Sequence, residues 1–246
     1  MRFLSRWKWM GLIPAAALLV LFAGAAGAAD LRCILEPSED IAVSSQVPGI
    51  IEEFAVERGD RIKKGQVLVR LKAGVEKAQA DLAQQRFEFA KRKLDRNKDL
   101  YQKQLISIHE KDEMETELRI MELQFQEATE KYKLRTILSP VDGVVVKRAL
   151  SPGEYVGEGA IMTIARVDPI NVEIIANAGL YGSIRKGMSA EVRPEKPAGS
   201  VFRGKVAVVD PVIDAASGTF GIRVELPNPN YTIPAGLNCR VRIYGR

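Results

Sequence analysis

The sequence is poor in the residues that most often carry chemistry. Its 246 residues include one histidine, His109, and two cysteines, which stand near opposite ends of the chain at positions 33 and 239. No glycine-rich loop has the spacing of a phosphate cradle, and no second imidazole is present to share a metal with the first. The composition therefore argues against acid–base catalysis, a metal centre or a nucleotide site. We expect a protein that is not an enzyme and that holds no cofactor.

Strong positive charge is also lacking once the amino-terminal segment is set aside. The whole chain has a formal net charge of +5, and Arg2, Arg6 and Lys8 supply three of those charges before the first acidic residue. Without residues 1–28 the net charge falls to +2. A surface this mildly positive gives no support for nucleic-acid binding.

Residues 1–28 have the parts of a secretory signal peptide. A positive start is followed by an apolar run from Gly11 to Ala23 and by Ala26-Gly27-Ala28, small residues of the kind found at cleavage sites. We predict cleavage before Ala29 and export. The alternative is an uncleaved anchor, because residues 10–29 form a stretch of about 20 uncharged residues, long enough to span a bilayer.

The two cysteines fall in alternating runs that are typical of strands. Leu31, Cys33 and Leu35 share one face of the first run, and Cys239 lies on the apolar face of the run that ends the chain. Two buried thiols in one core are the simpler interpretation. Export favours the persistence of a disulfide, so a Cys33–Cys239 bridge is the alternative if the terminal strands are neighbours in one barrel.

A short glycine pattern occurs twice, 94 residues apart. Glycines stand at positions 49, 59 and 65, and again at 143, 153 and 159. Apolar positions match as well, since Ile62 corresponds to Val156. The middle glycines, Gly59 and Gly153, fall in turn signals where a positive φ costs glycine little. We predict two half-domains related by a pseudo-twofold axis and joined into one small β-sandwich.

Between the two copies, residues 75–134 contain neither glycine nor proline and are dense in helix formers. Residues recur at alternating spacings of four and three, as in a coiled coil. The two sets are Ala83, Phe87, Ala90, Leu94, Asn97, Tyr101 and Gln104, and then Met114, Leu118, Met121, Phe125, Ala128 and Tyr132. Ser107 and Glu110 form a capping-box signature that would start the second helix. We predict an antiparallel helical hairpin about 45 Å long.

After residue 168 the chain reads as short strands separated by glycine, proline and asparagine. We predict a small β-barrel closed by the amino-terminal strand 31–43. The expected fold is mainly β and elongated, with a split sandwich interrupted by the hairpin and followed by the barrel.

This arrangement resembles the periplasmic adaptor proteins, also called membrane fusion proteins, of the HlyD and efflux RND kind. The split half-motifs resemble the biotinyl/lipoyl carrier fold, and residues 138–145, LSPVDGVV, are similar to the family signature that follows the hairpin. Val209-Asp210-Pro211 resembles part of the family's barrel. The resemblance covers nearly all of residues 31–246. It implies a barrel from 29–43 and 168–246, a lipoyl-like domain from 44–72 and 139–167, and a hairpin from 73–138.

The predicted hairpin tip carries a more specific resemblance. Adaptors that dock on TolC-like outer-membrane channels have an arginine, a leucine four residues later and a serine seven residues after that. Arg96, Leu100 and Ser107 have this spacing. Arginine and leucine one helical turn apart share a face, whereas the serine is also expected to cap the second helix. The resemblance implies that these three residues bind a partner.

The resemblance implies a periplasmic adaptor of a tripartite efflux or export system, associated with the inner membrane of a Gram-negative envelope. It would link an inner-membrane RND or ABC transporter to a TolC-like channel, as a homo-oligomer of three or six subunits. Two alternatives are an exported coiled-coil scaffold and a biotin or lipoyl carrier. A carrier needs a modifiable lysine on a tight turn, and Lys72 and Lys77 are expected at the hairpin base instead.

Two features depart from larger members of the family. The chain ends directly after the last predicted barrel strand, so we expect no further membrane-proximal domain. The predicted hairpin is also shorter than in many efflux adaptors, which puts its reach to an outer-membrane channel in question.

Overall fold

The computed structural model describes residues 30–245, so the predicted signal peptide lies outside the described residues. The helices are α1 (Gly74–Gln102) and α2 (Ile108–Lys133). The strands are β1 (Asp30–Ser44), β2 (Gly49–Phe54), β3 (Arg61–Ile62), β4 (Val67–Leu71), β5 (Thr136–Leu138), β6 (Gly143–Arg148), β7 (Tyr155–Val156), β8 (Ala160–Asn177), β9 (Ser189–Pro194), β10 (Phe202–Val209), β11 (Thr219–Leu226) and β12 (Asn238–Tyr244). Across this described part, neither helix combines the length and the apolar character needed to cross a membrane.

Six strands close into the predicted barrel. Their order is β1-β12-β9-β10-β11-β8, and β8 also pairs with β1. Residues alternate between the interior and solvent along each strand, as a half-buried strand requires. The interior is filled mainly by aliphatic side chains, among them Leu35, Ile170, Val172, Ile174, Val192, Ile222, Val224 and Val241.

Strands β1 and β8 run through both the barrel and the sandwich. They pair antiparallel from Cys33 opposite Ile174 to Ser44 opposite Ala160, with shifts in register on the way. The predicted boundary at 167/168 therefore falls inside β8. One backbone ladder connects the two β units directly, without a flexible linker between them.

The two glycine-spaced copies are related by the predicted pseudo-twofold. Strands β2 and β6 each have six residues, β3 and β7 each have two, and both pairs are offset by 94 positions. Each copy pairs with the other in the same way, because Gly49 lies opposite Val156 and Gly143 lies opposite Ile62. The sandwich core is thus built from two halves that exchange equivalent contacts.

The repeat extends to side-chain hydrogen bonds and to backbone conformation. The Ser45 hydroxyl donates to the Val47 carbonyl, and the Ser139 hydroxyl donates to the Val141 carbonyl, both at 2.6 Å. These pairs are again 94 residues apart. The middle glycines of the two copies have φ of 93° and 89°, a conformation that glycine adopts without strain.

The predicted helical hairpin is present. Helix α1 has 29 residues and is therefore about 44 Å long. Except for Tyr132 and Gln104, which are exposed, the residues predicted to form the seam are partly or fully buried, and Phe87 stacks on Phe125 with their ring centroids 6.0 Å apart. Gln104 was wrongly assigned to the seam: it lies beyond the end of α1 and is exposed, because the chain has already turned away from the helix axis.

Candidate partner-binding site

The tip of the hairpin begins where α1 ends in a left-handed residue. Gln104 has φ of 58°, which is uncommon for a residue with a side chain. Its amide donates to the Tyr101 carbonyl, and the Leu105 amide donates to the Leu100 carbonyl, each at 2.9 Å. These two bonds form a Schellman motif, which satisfies carbonyls at the end of the helix. Leu100 is therefore part of the structure that ends α1.

The second helix begins in the capping box that the sequence predicted. The Ser107 hydroxyl accepts from the Glu110 amide at 3.1 Å, and the Ser107 amide donates to the Glu110 carboxylate at 2.7 Å. Two hydrogen bonds from Ser107 hold the pKa of the Glu110 carboxyl below its usual value; the bond from the amide has the larger effect and the bond from the hydroxyl the smaller. Only Ile106 separates the Schellman motif from the capping box, so the tip has a defined shape.

Arg96 and Leu100 present one charged and one apolar group on the same side of α1. They are one helical turn apart, and both are exposed, Leu100 by 37%. Within residues 30–245 no carboxylate lies within 4.0 Å of the Arg96 guanidinium. Ser107 differs from them, because its hydroxyl is bonded to Glu110. The arginine and leucine are free to meet a partner, while the serine fixes the turn beside them.

The base of the hairpin depends on Arg135, which the sequence analysis did not single out. One guanidinium nitrogen donates to the Pro48 carbonyl at 2.8 Å, and another pairs with the Glu76 carboxylate in the first turn of α1. Both side chains of this ion pair are only 19% exposed. A Cβ atom at Gly49 would lie 2.7 Å from the guanidinium, so this repeated glycine leaves room for it. A lone arginine in a charge-rich segment carries no sequence signal for such a role.

Exposed apolar residues follow one line of α1 up to the tip. Val75, Leu82 and Phe89 are spaced by seven residues, and Arg96 is the next position at that spacing. Seven residues are close to two helical turns, so these side chains lie on one side of the helix.

Helix α2 contributes to the same side of the hairpin. Lys93 on α1 and Glu117 on α2 form an ion pair of 2.7 Å that joins the two helices. Phe89 lies one turn before Lys93, and Ile120 lies about one turn after Glu117, so both are on the side of this ion pair. Ile120 is also exposed. We call Val75, Leu82, Phe89 and Ile120 the lateral stripe.

The residues with most capacity for chemistry do not converge. Within the described residues no group of three or more His, Cys, Asp or Glu side chains could hold a metal ion. His109 is exposed near the tip, 3.2 Å from the Glu113 carboxylate. Cys33 and Cys239 lie directly opposite each other on β1 and β12, with Cα atoms 4.9 Å apart and their sulfur atoms joined as a disulfide.

Comparison with known protein families agrees with this architecture. Residues 39–166 match the CzcB-like barrel-sandwich hybrid domain, and residues 172–246 match the CusB-like β-barrel domain. The first match alone covers more than half of the chain. The chain belongs to the CzcB-like family of membrane fusion proteins.

Several relatives of this membrane fusion protein are efflux components. The antibiotic efflux pump periplasmic linker protein ArpA of Pseudomonas putida is 24% identical, over 82% of this chain and 56% of its own length. The cobalt-zinc-cadmium resistance protein CzcB of Cupriavidus metallidurans is 26% identical, over 82% of this chain and 42% of its own. The chain thus spans about half the length of the curated relatives it matches.

Solved structures of adaptor proteins share the fold. A MacA-MexA chimeric protein with the Pseudomonas aeruginosa MexA α-hairpin gives a TM-score of 0.73 at 19% identity, over 87% of this chain and 78% of that one. The membrane fusion protein Spr0693 of Streptococcus pneumoniae R6 gives 0.68 at 14% identity, over 89% and 99%. At these identities the likeness establishes the fold of this membrane fusion protein.

Proposed function

We propose that this membrane fusion protein is a non-catalytic periplasmic adaptor of a tripartite efflux or export system in a Gram-negative envelope. It links an inner-membrane transporter of the RND or ABC class to a TolC-like outer-membrane channel. The observation that carries the proposal is the rigid hairpin tip, which exposes Arg96 and Leu100 side by side. The efflux functions named for its relatives support the same assignment.

The tip suits recognition of another helical protein. An exposed guanidinium offers several donors in a fixed plane to carboxylates or carbonyls at a partner's helix end. Leu100, one turn away, offers an apolar contact beside the charged one. The Schellman motif and the capping box fix the backbone of the turn beside these residues before binding, which lowers the entropic cost of association.

A charge reversal at the tip tests the proposed channel contact. Arg96→Asp should abolish export and site-specific crosslinking to the channel, because it places a carboxylate where the partner meets a cation. Lys98→Asp is the matched control, since Lys98 is also exposed but projects about 200° around the helix. Circular dichroism should show both variants folded. Full export by Arg96→Asp, or equal losses in both variants, would contradict the role of the tip.

We also propose that the adaptor assembles as a homo-oligomer of three or six subunits through the lateral stripe. Large exposed apolar residues in a continuous line are unusual on a solvated helix and mark contact surfaces. The stripe runs up to Arg96, so neighbouring hairpins packed along it would gather several copies of the tip around one channel.

Native mass spectrometry of the Phe89→Glu variant tests this assembly. The wild type should form trimers or hexamers in the presence of the channel, and Phe89→Glu should remain monomeric. Gln126→Glu is the control, because Gln126 is an exposed site on α2 that projects about 240° around the helix from Ile120 and so lies away from the stripe. A wild type that stays monomeric under all these conditions would favour the scaffold function instead.

A further inference from the structure

Three arginines stand side by side on the outer surface of the barrel. Arg32 on β1 lies directly opposite Arg240 on β12, and Arg240 lies directly opposite Arg193 on β9. All three are exposed. We call these residues the arginine row. Like charges placed directly opposite each other destabilise a sheet, so the row costs stability unless a ligand compensates it.

The adjacent row of the same strands shows the opposite pattern. Asp30 lies opposite Arg242, Arg242 lies opposite Glu191, and Glu191 lies opposite Arg203. Signs alternate across these four strands, and Arg242 reaches the Asp30 carboxylate at 3.4 Å. Two residues along the same strands, opposite charges therefore face each other. In the arginine row like charges face each other, and this sets the row apart.

Few carboxylates approach the arginine row. Within residues 30–245 no carboxylate lies within 4.0 Å of the Arg32 or Arg240 guanidinium, and Arg193 reaches only Glu191, at 3.7 Å. Glu195 lines the same surface cleft but forms no ion pair within that distance. The cleft has a volume of about 550 Å³ and stays rich in positive charge.

Exposed apolar residues stand at both ends of the row. Cys33 lies opposite Ile174 in an antiparallel pair, so the next residue of β8, Ile175, lies beside Arg32. Ile175 is 74% exposed. Phe202 lies opposite Val192 in an antiparallel pair, so Val201, one residue earlier, lies beside Arg193. Val201 is also exposed. A line of cations flanked by aliphatic side chains has the chemistry of an anchor at the surface of an anionic bilayer.

The position of Arg32 in the chain points to the same surface. The apolar run of the amino-terminal segment ends at Ala23, nine residues before Arg32. Nine residues span at most about 32 Å. In the uncleaved-anchor alternative, insertion of that run in the inner membrane would therefore leave the arginine row within reach of the lipid headgroups.

We propose that the arginine row is a docking surface for anionic phospholipids at the face of the inner membrane. Each guanidinium can take a phosphate through two parallel hydrogen bonds, while Ile175 and Val201 lie against the headgroup region. The row then holds the barrel on the bilayer whether or not the hairpin has met a channel. Its test is accordingly independent of the test of the tip.

Vesicle co-sedimentation measures this binding directly. Residues 29–246, which contain the whole described fold, are mixed with vesicles of phosphatidylcholine alone or with an equal share of phosphatidylglycerol. The wild type should sediment only with the anionic vesicles, and salt should release it. Each Arg→Gln change in the row should lower the partition coefficient about fivefold, and the triple variant should lose binding about a hundredfold.

The matched control removes the same charge from the same barrel. Arg203→Gln, Arg223→Gln and Arg242→Gln together leave the row intact and should bind nearly as the wild type does; thermal melts show whether either triple variant is folded. Equal losses in the two triple variants would overturn the proposal, since net charge alone would then explain them. If millimolar inorganic phosphate releases the protein from the vesicles, the row is a discrete anion site and the bilayer proposal is wrong. Binding to the transporter but not to vesicles would assign the row to an acidic protein.

Discussion

The hairpin and its base are built on different principles. The base, residues 30–72 and 135–245, contains nearly all the buried apolar side chains of the described chain, whereas the hairpin contributes only Ala80 and Ala90 to that set. The base is also joined by strand pairs distant in sequence, such as Cys33 with Cys239. The hairpin is joined mainly by bonds within each helix and by one narrow seam.

This difference divides stability from recognition. Burial of apolar surface gives the base the larger free energy of folding, so its side chains are committed to the core. The hairpin buries little and keeps most of its side chains in solvent, where a partner can reach them. A substitution of a buried apolar residue in the base should therefore affect folding, and one of an exposed residue on the hairpin should affect assembly.

The largest expected effect comes from removing a core side chain of the base. Leu68 is fully buried in the sandwich, and Leu68→Ala should lower the free energy of unfolding by about 2 to 5 kcal/mol. Urea denaturation followed by far-ultraviolet circular dichroism measures this free energy. Leu82→Ala on the lateral stripe is the hairpin counterpart and should change it by less than about 0.5 kcal/mol. Similar losses at both positions would contradict the conclusion that the base supplies most of the folding free energy.

Removal of the cysteine pair should have the next largest effect. A disulfide between residues 206 positions apart restricts the unfolded chain strongly, and replacing Cys33 and Cys239 together by alanine should cost about 2 to 4 kcal/mol. The effect should appear in the base alone. In the wild type, titration of the unfolded, unreduced protein should find no free thiol, and two thiols would show that the bridge does not form.

The junction between hairpin and base can be tested at Arg135. Arg135→Ala leaves Glu76 half-buried without its partner, so the loss should be about 1 to 3 kcal/mol. A double-mutant cycle with Glu76→Ala isolates the pair, and hydrogen exchange should become faster in the first turn of α1. Arg119→Ala breaks an exposed pair and should cost at most about 1 kcal/mol. Absence of coupling between Arg135 and Glu76 would remove the proposed link.

The smallest expected effect is a stabilisation at the tip. Gln104→Gly relieves the left-handed conformation of a residue with a side chain and should stabilise the hairpin by up to about 1 kcal/mol. Gln102→Gly, inside the last turn of α1, should destabilise it by a similar amount. Thermal melts of the helical signal compare them. A gain at both positions would show that the tip is not held by the Schellman motif.

Predictions from the sequence were most successful where the pattern is local. The seam from Ala83 to Tyr101 is correct because coiled-coil spacing follows directly from the helical repeat. The same spacing failed at Gln104, since periodicity alone does not show where a Schellman motif ends the helix. The boundary predicted at residue 168 lies inside β8, at the point where the ladder with β1 shifts register between Pro37 and Glu39. A proline can lie within a strand at such an irregularity.

The hairpin, the two half-motifs and the capping box could be predicted from the sequence, because each depends on spacings within a short stretch of the chain. The link that Arg135 makes between α1 and Pro48, and the row formed by Arg32, Arg240 and Arg193, became visible only in the folded chain. The reason is strand register. Which residues lie opposite each other across a barrel depends on how all its strands close, and no local pattern in the chain encodes that closure.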